Sequence, residues 1–300
     1  MKSIKPLSIQ PIPYQGSKRL LAPRICQLIP DGVETLYEPF AGSAAITIYA
    51  ATYGQAERFV IGDSFGVLID LWEMIIERPT ELSKRYSEVW HAQLDNPRHF
   101  NEVRAAYNDK ADPIQLLYLV ARCVKNAVRF SKHGHFTQSA DKRRTGMKPD
   151  KLTRTVHAVS RLLKGRVKLY KGDFDACIRD ARPSDFIYMD PPYQGTSYGP
   201  DQRYAAQLEC ETLIEALHRL GKRSVPYILS YDGRTGYKTY GDPLPNSVKA
   251  HLLEISAGRS SQATLNGSAA ETVESLYVSH GLELFDMDVP QHPQQEHLFA

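Results

Sequence analysis

The sequence predicts an α/β fold in which two separate stretches of chain build one open, mostly parallel sheet, with a helical segment inserted between them. Short strand patterns alternate with helical patterns near both ends of the chain, which is typical of parallel sheets. From Val67 to about Leu163 the pattern changes to long helical segments. Positive charge is concentrated between Arg122 and Lys171, which overlaps the end of that helical stretch.

The individual elements follow from these patterns. Residues 34–38 and 58–63 have the pattern of short strands, and the helical pattern between them at 44–53 completes a β-α-β unit. Later strands are predicted at 167–170, 185–189, 227–230 and 272–279. Further helices are predicted at 81–94, 100–107, 113–128 and 207–220.

This order of elements predicts a discontinuous domain. We expect residues 1–75 and 165–285 to form the sheet domain, because connected strands of one sheet are normally neighbours in space. Residues 76–164 are expected to form an inserted helical subdomain. Residues 286–300 have a polar composition, which predicts a disordered tail.

The composition excludes several classes of protein. Of 300 residues, 42% are hydrophobic, which is enough for a sizeable core and excludes a disordered chain. No apolar run approaches the roughly 20 residues that span a bilayer, and the first residues lack the apolar core of a signal peptide. We therefore expect a cytoplasmic protein. The four cysteines are far apart and without metal-ligand spacing, which predicts reduced thiols and no metal site.

The charge is distributed unevenly along the chain. The fifty residues from Arg122 to Lys171 carry a net charge of +13, whereas the rest of the chain carries −10. Such a run is commonly a solvated face. Here the segment 130–144 also mixes cations with amide, hydroxyl and aromatic side chains, which favours contact with the phosphates and base edges of a nucleic acid.

The tetrapeptide Asp190-Pro191-Pro192-Tyr193 directly follows the predicted strand 185–189. Ligands of open α/β sheets bind beyond the carboxyl ends of the strands, so the tetrapeptide lies at the expected binding edge. The amine of a nucleobase is a poor nucleophile, because its lone pair is delocalised into the ring. A carboxylate and a backbone carbonyl that accept both amine hydrogens would free that lone pair, and an aromatic ring would stack on the extruded base.

Two further elements precede the helical segment. The stretch from Tyr37 to Ala45 is a strand that runs into a turn of small residues, which lets a ligand approach the backbone near a helix N-terminus. Asp63 ends the next strand 21 residues after Gly42, a spacing that suits a carboxylate accepting hydrogen bonds from ribose hydroxyls. The loop Tyr14-Gln15-Gly16-Ser17-Lys18 precedes an amphipathic helix.

Together these motifs resemble the Dam-like family of S-adenosylmethionine-dependent DNA adenine-N6 methyltransferases. The family's N-terminal aromatic-x-Gly-Gly-Lys loop is matched with Ser17 for the second glycine, and its Glu-Pro-Phe-x-Gly-x-Gly motif is matched with Ala44 for the last glycine. Gly172-Asp173-Phe174 matches the family's Gly-Asp-Phe, and the catalytic Asp-Pro-Pro-Tyr is matched in full. After Tyr198 the similarity is weaker, although Ser230-Tyr231-Asp232 resembles a late Ser-Tyr-Asn/Asp motif.

The resemblance implies a Rossmann-like, class I methyltransferase fold, an S-adenosylmethionine cofactor and a duplex DNA partner, with a cognate restriction endonuclease as a further partner. The implied catalytic residues are Asp190, Pro191, Pro192 and Tyr193. The implied cofactor-binding residues are Tyr14, Gly16, Lys18, Glu38, Pro39, Phe40, Gly42, Asp63, Asp173 and Asp190.

The resemblance also implies a target-recognition hairpin within residues 126–149. The candidate DNA-binding residues in it are Asn126, Arg129, Lys132, His133, Gln138, Lys142, Arg143 and Arg144. The cations suit phosphates or guanine, and Asn126 and Gln138 suit adenine edges.

Other functions remain open from the sequence alone. The tetrapeptide also suits methylation of cytosine N4, of an RNA base or of a protein amide. A catalytically silent DNA-binding regulator could retain the same fold, although the intact tetrapeptide argues against it. A nicotinamide-dependent oxidoreductase would need a fuller glycine fingerprint than the turn at Gly42 provides.

Overall fold

The computed structural model describes residues 9–192, 210–235, 238–240, 243–259 and 271–282. The predicted tail at 286–300 and Tyr193 therefore lie outside the described residues. The strands are β1 (Val33–Glu38), β2 (Ala56–Asp63), β3 (Val167–Lys171), β4 (Phe186–Met189), β5 (Tyr227–Ser230), β6 (Gly233–Thr235), β7 (Lys238–Tyr240), β8 (Ala250–Arg259) and β9 (Glu271–Ser279). The α-helices are α1 (Ala22–Ile25), α2 (Ala45–Thr52), α3 (Gly66–Glu77), α4 (Pro79–Ala92), α5 (His99–Lys110), α6 (Pro113–Arg122), α7 (Pro149–Leu163), α8 (Phe174–Ile178) and α9 (Cys210–Lys222).

The strands form one mixed sheet with a parallel half. The order β3-β2-β1-β4-β5 is parallel throughout, with β1 at the point where the strand order reverses. β9 then pairs antiparallel with β5, and β6, β7 and β8 extend this second half. The structure thus has the predicted α/β architecture around a mostly parallel central sheet.

Helices cover both faces of the parallel half, so its central strands are apolar. All residues of β4 and β5 are buried, as expected of strands that have no solvent-facing side. One buried core joins the sheet to α2, α3 and the helices α4–α7, and a second core lies between the sheet and α8 and α9. The division of the chain into a sheet domain and an inserted subdomain stays a prediction.

The structure differs from the sequence prediction at two places. The helix predicted over 113–128 ends at Arg122, because Cys123 is extended and Lys125 and Asn126 have positive φ angles. Strands β6, β7 and β8 were not predicted; in β8 the apolar Leu252 is half exposed beside the buried Leu253 and the pairing is irregular between Ser256 and Gly258, so the sequence has no regular strand pattern there. No helix in the described ranges combines the length and apolarity that crossing a membrane requires.

Helix α4 holds the chain that returns from the basic segment to α7. The Tyr86 hydroxyl donates a hydrogen bond of 2.8 Å to the Met147 carbonyl, and the Trp90 indole donates one of 2.9 Å to the Thr145 carbonyl. Tyr86 is fully buried, so in the folded protein its hydroxyl bonds this carbonyl instead of water.

We expect Tyr86→Phe to lower the free energy of unfolding by about 1 kcal/mol, because a buried carbonyl loses its donor. Urea denaturation measures this change, with an unaltered slope against denaturant. Tyr53→Phe is the control, since Tyr53 is 54% exposed and water can replace its partner. Equal effects of the two substitutions would contradict the assignment.

Candidate active site

A cleft opens at the carboxyl ends of β1, β2 and β4, next to the point where the strand order reverses. Counted with the solvent at its open mouth, the empty space of the cleft is about 1230 Å³. All ten sequence-predicted cofactor residues line it, together with Pro191 and Pro192. The structure therefore brings the three predicted motifs into one place, although residues 14, 63 and 190 are far apart in the chain.

The turn after β1 is held by Glu38. Its buried carboxylate accepts hydrogen bonds from the Thr47 amide at 2.8 Å and the Ile46 amide at 3.4 Å, both in the first turn of α2. Burial raises the pKa of Glu38 to about 7. The N-cap residue Ala44 has no capping side chain, so Glu38 supplies the acceptor that the start of the helix needs.

Ala44 explains the glycine that the family motif has at this place. Its φ of 46° and ψ of 45° lie in the left-handed region, where alanine is strained and glycine is not. Alanine nevertheless keeps the turn, and its methyl group is completely buried.

Asp63 ties the end of β2 to this turn. Its carboxylate accepts from the Gly42 amide at 3.2 Å and from the Phe65 amide at 2.9 Å. Burial raises the pKa of this carboxyl, and the amide donors partly oppose the change. Gly42 has a φ of +48°, and a Cβ there would lie 3.7 Å from the Tyr14 ring, so the loop 14–18 closes directly over the turn.

Asp173 lies near the end of β2, as the N-cap of α8, and the preceding Gly172 amide donates to the Asp63 carbonyl at 3.1 Å. One of its oxygens accepts from the Asp175 amide at 2.8 Å and the Ala176 amide at 3.4 Å. The next residue, Phe174, stacks on Phe40 with a centroid distance of 5.1 Å. The cleft thus combines carboxylates with an aromatic wall, which suits a ligand that has a flat ring and hydrogen-bond donors.

Asp190 lies at the end of β4 in contact with Lys18. The Lys18 Nζ atom is 2.9 Å from Asp190 Oδ1 and 2.7 Å from Glu274 Oε1. Burial raises the pKa of Asp190 to about 6, while Lys18 lowers it and Glu274 raises it. The sequence analysis missed Glu274, because it lies 84 residues after Asp190 and no local motif marks it.

The segment predicted to hold the recognition hairpin contains a hairpin that starts slightly earlier than residue 126, and its role in recognition stays a prediction. Antiparallel bridges join Cys123 to Ala140 and Phe130 to Phe136, and we call residues 123–141 the basic arm. A backbone hydrogen bond of 3.0 Å from the Thr137 amide to the Arg129 carbonyl joins the two sides of this hairpin. The exposed candidates of the arm and of the chain that follows it are Lys132, His133, Lys142, Arg143 and Arg144.

Several of the candidate DNA-binding residues have structural partners, Asn126 and Arg144 among them. The Asn126 amide group donates to the Val120 carbonyl at 2.9 Å and the Ala121 carbonyl at 3.3 Å, where it closes the end of α6. Arg144 is held by the buried Asp141, with a nitrogen-to-oxygen distance of 2.7 Å. Hydrogen bonds from the Arg143 amide and the Arg144 side chain hold the pKa of Asp141 below its ordinary value. Asn126 would have to leave α6 before it could read an adenine edge.

Helix α5 fixes the position of the basic arm. Asn108 accepts from the Phe136 amide at 2.7 Å and donates to the Phe136 carbonyl at 3.3 Å, as a neighbouring strand would. Arg104 donates to the Gln138 carbonyl at 3.0 Å. Phe130 also contacts Phe65 edge-on at 5.2 Å, and both rings line the cleft.

The comparisons agree with this geometry. The sequence profile of the family described as D12 class N6 adenine-specific DNA methyltransferase matches residues 14–260. The chain belongs to this family. The match begins at the loop that closes over the cleft and extends past β5 into β8.

Individual relatives are similar at low identity. The type II methyltransferase M1.LlaDCHI of Lactococcus lactis subsp. cremoris is 23% identical over 189 residues, covering 60% of this chain and 64% of that protein. The type II methyltransferase M.FokI of Planomicrobium okeanokoites is 22% identical over 90% of this chain and 43% of its own length. The retron Ec67 DNA adenine methylase of Escherichia coli is 24% identical over 84% of this chain and 87% of its own. The chain therefore spans less than two thirds of the first two relatives and most of the third.

Among the described residues, no three histidine, cysteine, aspartate or glutamate side chains are grouped as metal ligands would be.

Glu38 gives the protein a predictable dependence of stability on pH. Its pKa is raised from 4.5 to about 7 in the folded state, so the folded protein takes up this proton more readily than the unfolded chain. The free energy of unfolding should therefore fall as the pH rises from about 4.5 to about 7. We expect Glu38→Gln to remove up to about 3 kcal/mol of this fall, measured by denaturation without ligand at pH 5 to 7.5.

The control is Glu34→Gln, on the same strand but with its side chain 47% exposed. That variant should keep the wild-type pH dependence. If Glu38→Gln kept it as well, the buried carboxyl would not be the titrating group.

Proposed function

We propose that this protein transfers a methyl group from S-adenosylmethionine to the N6 atom of adenine at a specific short sequence in duplex DNA. The observation that carries this proposal is the position of Asp190 and the prolines 191–192 in the same cleft as Tyr14, Gly42 and Asp63. Family membership supports the reaction type, and the basic arm beside the cleft supports a nucleic acid substrate.

The residues of the cleft fit S-adenosylmethionine. The carboxylates of Asp63 and Asp173 are suited to accept from ribose hydroxyls and an adenine amine, and Phe40 and Phe174 offer faces for the adenine ring. The backbone from Ala41 to Ser43 carries only small side chains along the cleft. When bound, this cofactor supplies an activated methyl group with a neutral sulfide as leaving group. Its positive charge would also compensate the buried carboxylates.

The chain's own part in the reaction is to prepare the target amine. In this proposal the Asp190 carboxylate and the Pro191 carbonyl oxygen accept the two hydrogens of the adenine amine, so that its lone pair can be donated. Proline fixes the backbone at residues 191 and 192, which holds that carbonyl in place. Tyr193, which lies outside the described residues, would stack on the extruded base.

The partners follow from the same proposal. Exposed cations of the basic arm would contact phosphates, which positions the duplex before a base leaves it. Restriction-modification proteins are among the relatives, which supports a cognate restriction endonuclease as a further partner. Because the substrate in this proposal is chromosomal DNA, we place the activity in the cytoplasm.

The proposal is tested by incubating the protein with labelled S-adenosylmethionine and unmethylated genomic DNA, followed by nucleoside analysis and sequencing of the modified positions. We expect N6-methyladenine at one short sequence. Asp190→Asn should lower the rate at least about 100-fold, since a neutral amide oxygen is a weaker hydrogen-bond acceptor than a carboxylate, while DNA affinity changes little.

Asp175→Asn is the matched control, because Asp175 lies on α8 and pairs with Arg219 outside the cleft. If the product were N4-methylcytosine, the target base would be cytosine and the proposed adenine substrate would be wrong. Folded protein that binds DNA without any transfer would favour the silent regulator.

The basic arm and the chain that follows it provide a separate prediction about DNA binding. Arg143→Ala should weaken binding and reduce the slope of log affinity against log salt by about one, because an 84% exposed cation is lost. Asn108→Ala should weaken binding without changing that slope, because it frees the arm but removes no charge. Filter binding or fluorescence anisotropy at several salt concentrations separates the two effects. Identical slopes for both variants would show that Arg143 contacts no phosphate.

A further inference from the structure

The Lys18 ammonium is held between two carboxylates that come from distant parts of the chain. It lies 2.7 Å from Glu274 Oε1 on β9 and 2.9 Å from Asp190 Oδ1 after β4. The side chains of Lys18 and Glu274 are each only 9% exposed, and that of Asp190 is 21% exposed. Two carboxylates and one ammonium leave a net negative charge in a largely buried place, which is costly unless the ions are held in good geometry.

Glu274 is itself held firmly. The Ser230 hydroxyl donates to Glu274 Oε1 at 3.1 Å, and both side chains are buried. β9 runs antiparallel beside β5, with Ser230 opposite Leu276, so Glu274 lies just beyond the carboxyl end of β5. The amide of Tyr231 continues this contact by donating to the Ser275 carbonyl at 3.1 Å. The resemblance of Ser230-Tyr231-Asp232 to a late family motif thus coincides with the support of Glu274.

We propose that Glu274 is a positioning residue that shares the Lys18 ammonium with Asp190, so that Asp190 keeps its capacity to accept a hydrogen bond from the target amine. This proposal rests on the proposed function, which makes Asp190 the acceptor. An ammonium group has three N–H donors and one positive charge. If Asp190 were its only carboxylate partner, Asp190 would take up most of its hydrogen bonding and most of its electrostatic interaction. A second carboxylate at a shorter distance draws the ammonium away from Asp190 and leaves Asp190 a stronger acceptor.

Four charged or titratable groups act on Asp190 from the elements around it. They are Lys18 from the loop, Glu274 from β9, Glu38 from β1 and Tyr188 from β4. Of the two with the largest influence, Lys18 lowers the pKa of Asp190 and Glu274 raises it. Removal of the Glu274 charge should therefore lower the pKa of Asp190, whereas a purely structural role for Glu274 would leave it unchanged.

The experiment measures the single-turnover rate of methyl transfer against pH, from pH 5 to 8.5, in the wild-type protein and in Glu274→Gln. We expect the acidic limb of the pH–rate profile to lie about one pH unit lower in the variant than in the wild type, since Asp190 stays ionised to lower pH. The plateau rate should fall roughly tenfold, since Asp190 becomes the weaker acceptor. The Kd for S-adenosylmethionine and the KM for DNA should change less than about threefold. An acidic limb at the wild-type pH would overturn the proposal.

Glu254→Gln is the matched control, because Glu254 lies on the neighbouring strand β8 and pairs with Arg234 rather than Lys18. Its acidic limb should coincide with that of the wild type. A shift equal to that of Glu274→Gln would show a general electrostatic effect and would also overturn the proposal.

A second measurement needs no activity and so separates this proposal from the proposed function. The free energy of unfolding is measured from pH 4 to 8 for the wild type, Asp190→Asn, Glu274→Gln and the double variant. In the wild-type background, Asp190→Asn should remove a fall in the free energy of unfolding between about pH 4 and 6. In the Glu274→Gln background, the same substitution should remove a smaller fall that ends at lower pH. Equal falls in both backgrounds would overturn the proposal, even if methyl transfer were established. A smaller fall would support the charge sharing, even if no transfer were detected.

Discussion

The site depends on the parallel register of three strands. Pairing of Glu38 with Ile61 and of Tyr37 with Ile187 brings the carboxyl ends of β1, β2 and β4 to one edge. Each strand ends in a carboxylate there, namely Glu38, Asp63 and Asp190, and burial raises the pKa of all three. Each of these carboxylates has a partner within the chain. Glu38 accepts from amides at the start of α2, Asp63 accepts from amides of the turn, and Asp190 pairs with Lys18. Each carboxylate therefore also holds a neighbouring segment in position.

The acidic edge also accounts for the kind of ligand that the cleft favours. Carboxylates whose pKa values are raised by burial gain most from a cation, because the cation restores the interaction that water no longer provides. Lys18 provides part of this compensation and is itself divided between Asp190 and Glu274. A cationic ligand would provide the rest, which is consistent with the S-adenosylmethionine cofactor proposed above. The strain of Ala44 in its left-handed turn is a further cost at the same edge.

Local sequence patterns predict those parts of the molecule that depend on local rules. The strands β1 to β5 follow from short apolar runs, and the functional residues follow from their position directly after a strand, so most of the lining of the cleft was accessible from sequence. The end of α6 was missed, because Asn126 closes it through a side-chain contact with Val120 that propensities do not contain. Glu274 and Asn108 were missed for the same reason: each acts through a partner far away in the chain, Lys18 and Phe136 respectively.

The basic arm and the cleft are joined by aromatic contacts. Tyr107 of α5 contacts Phe136, Phe136 contacts Phe130, and Phe130 contacts Phe65 at 5.2 Å on the wall of the cleft. Phe65 lies two residues after Asp63, and its amide donates a hydrogen bond to the Asp63 carboxylate. A displacement of the arm must therefore move a ring of the cofactor cleft or open a gap beside it, and dense packing makes either change costly. A continuous row of aromatic rings thus connects α5, the basic arm and the wall of the cleft.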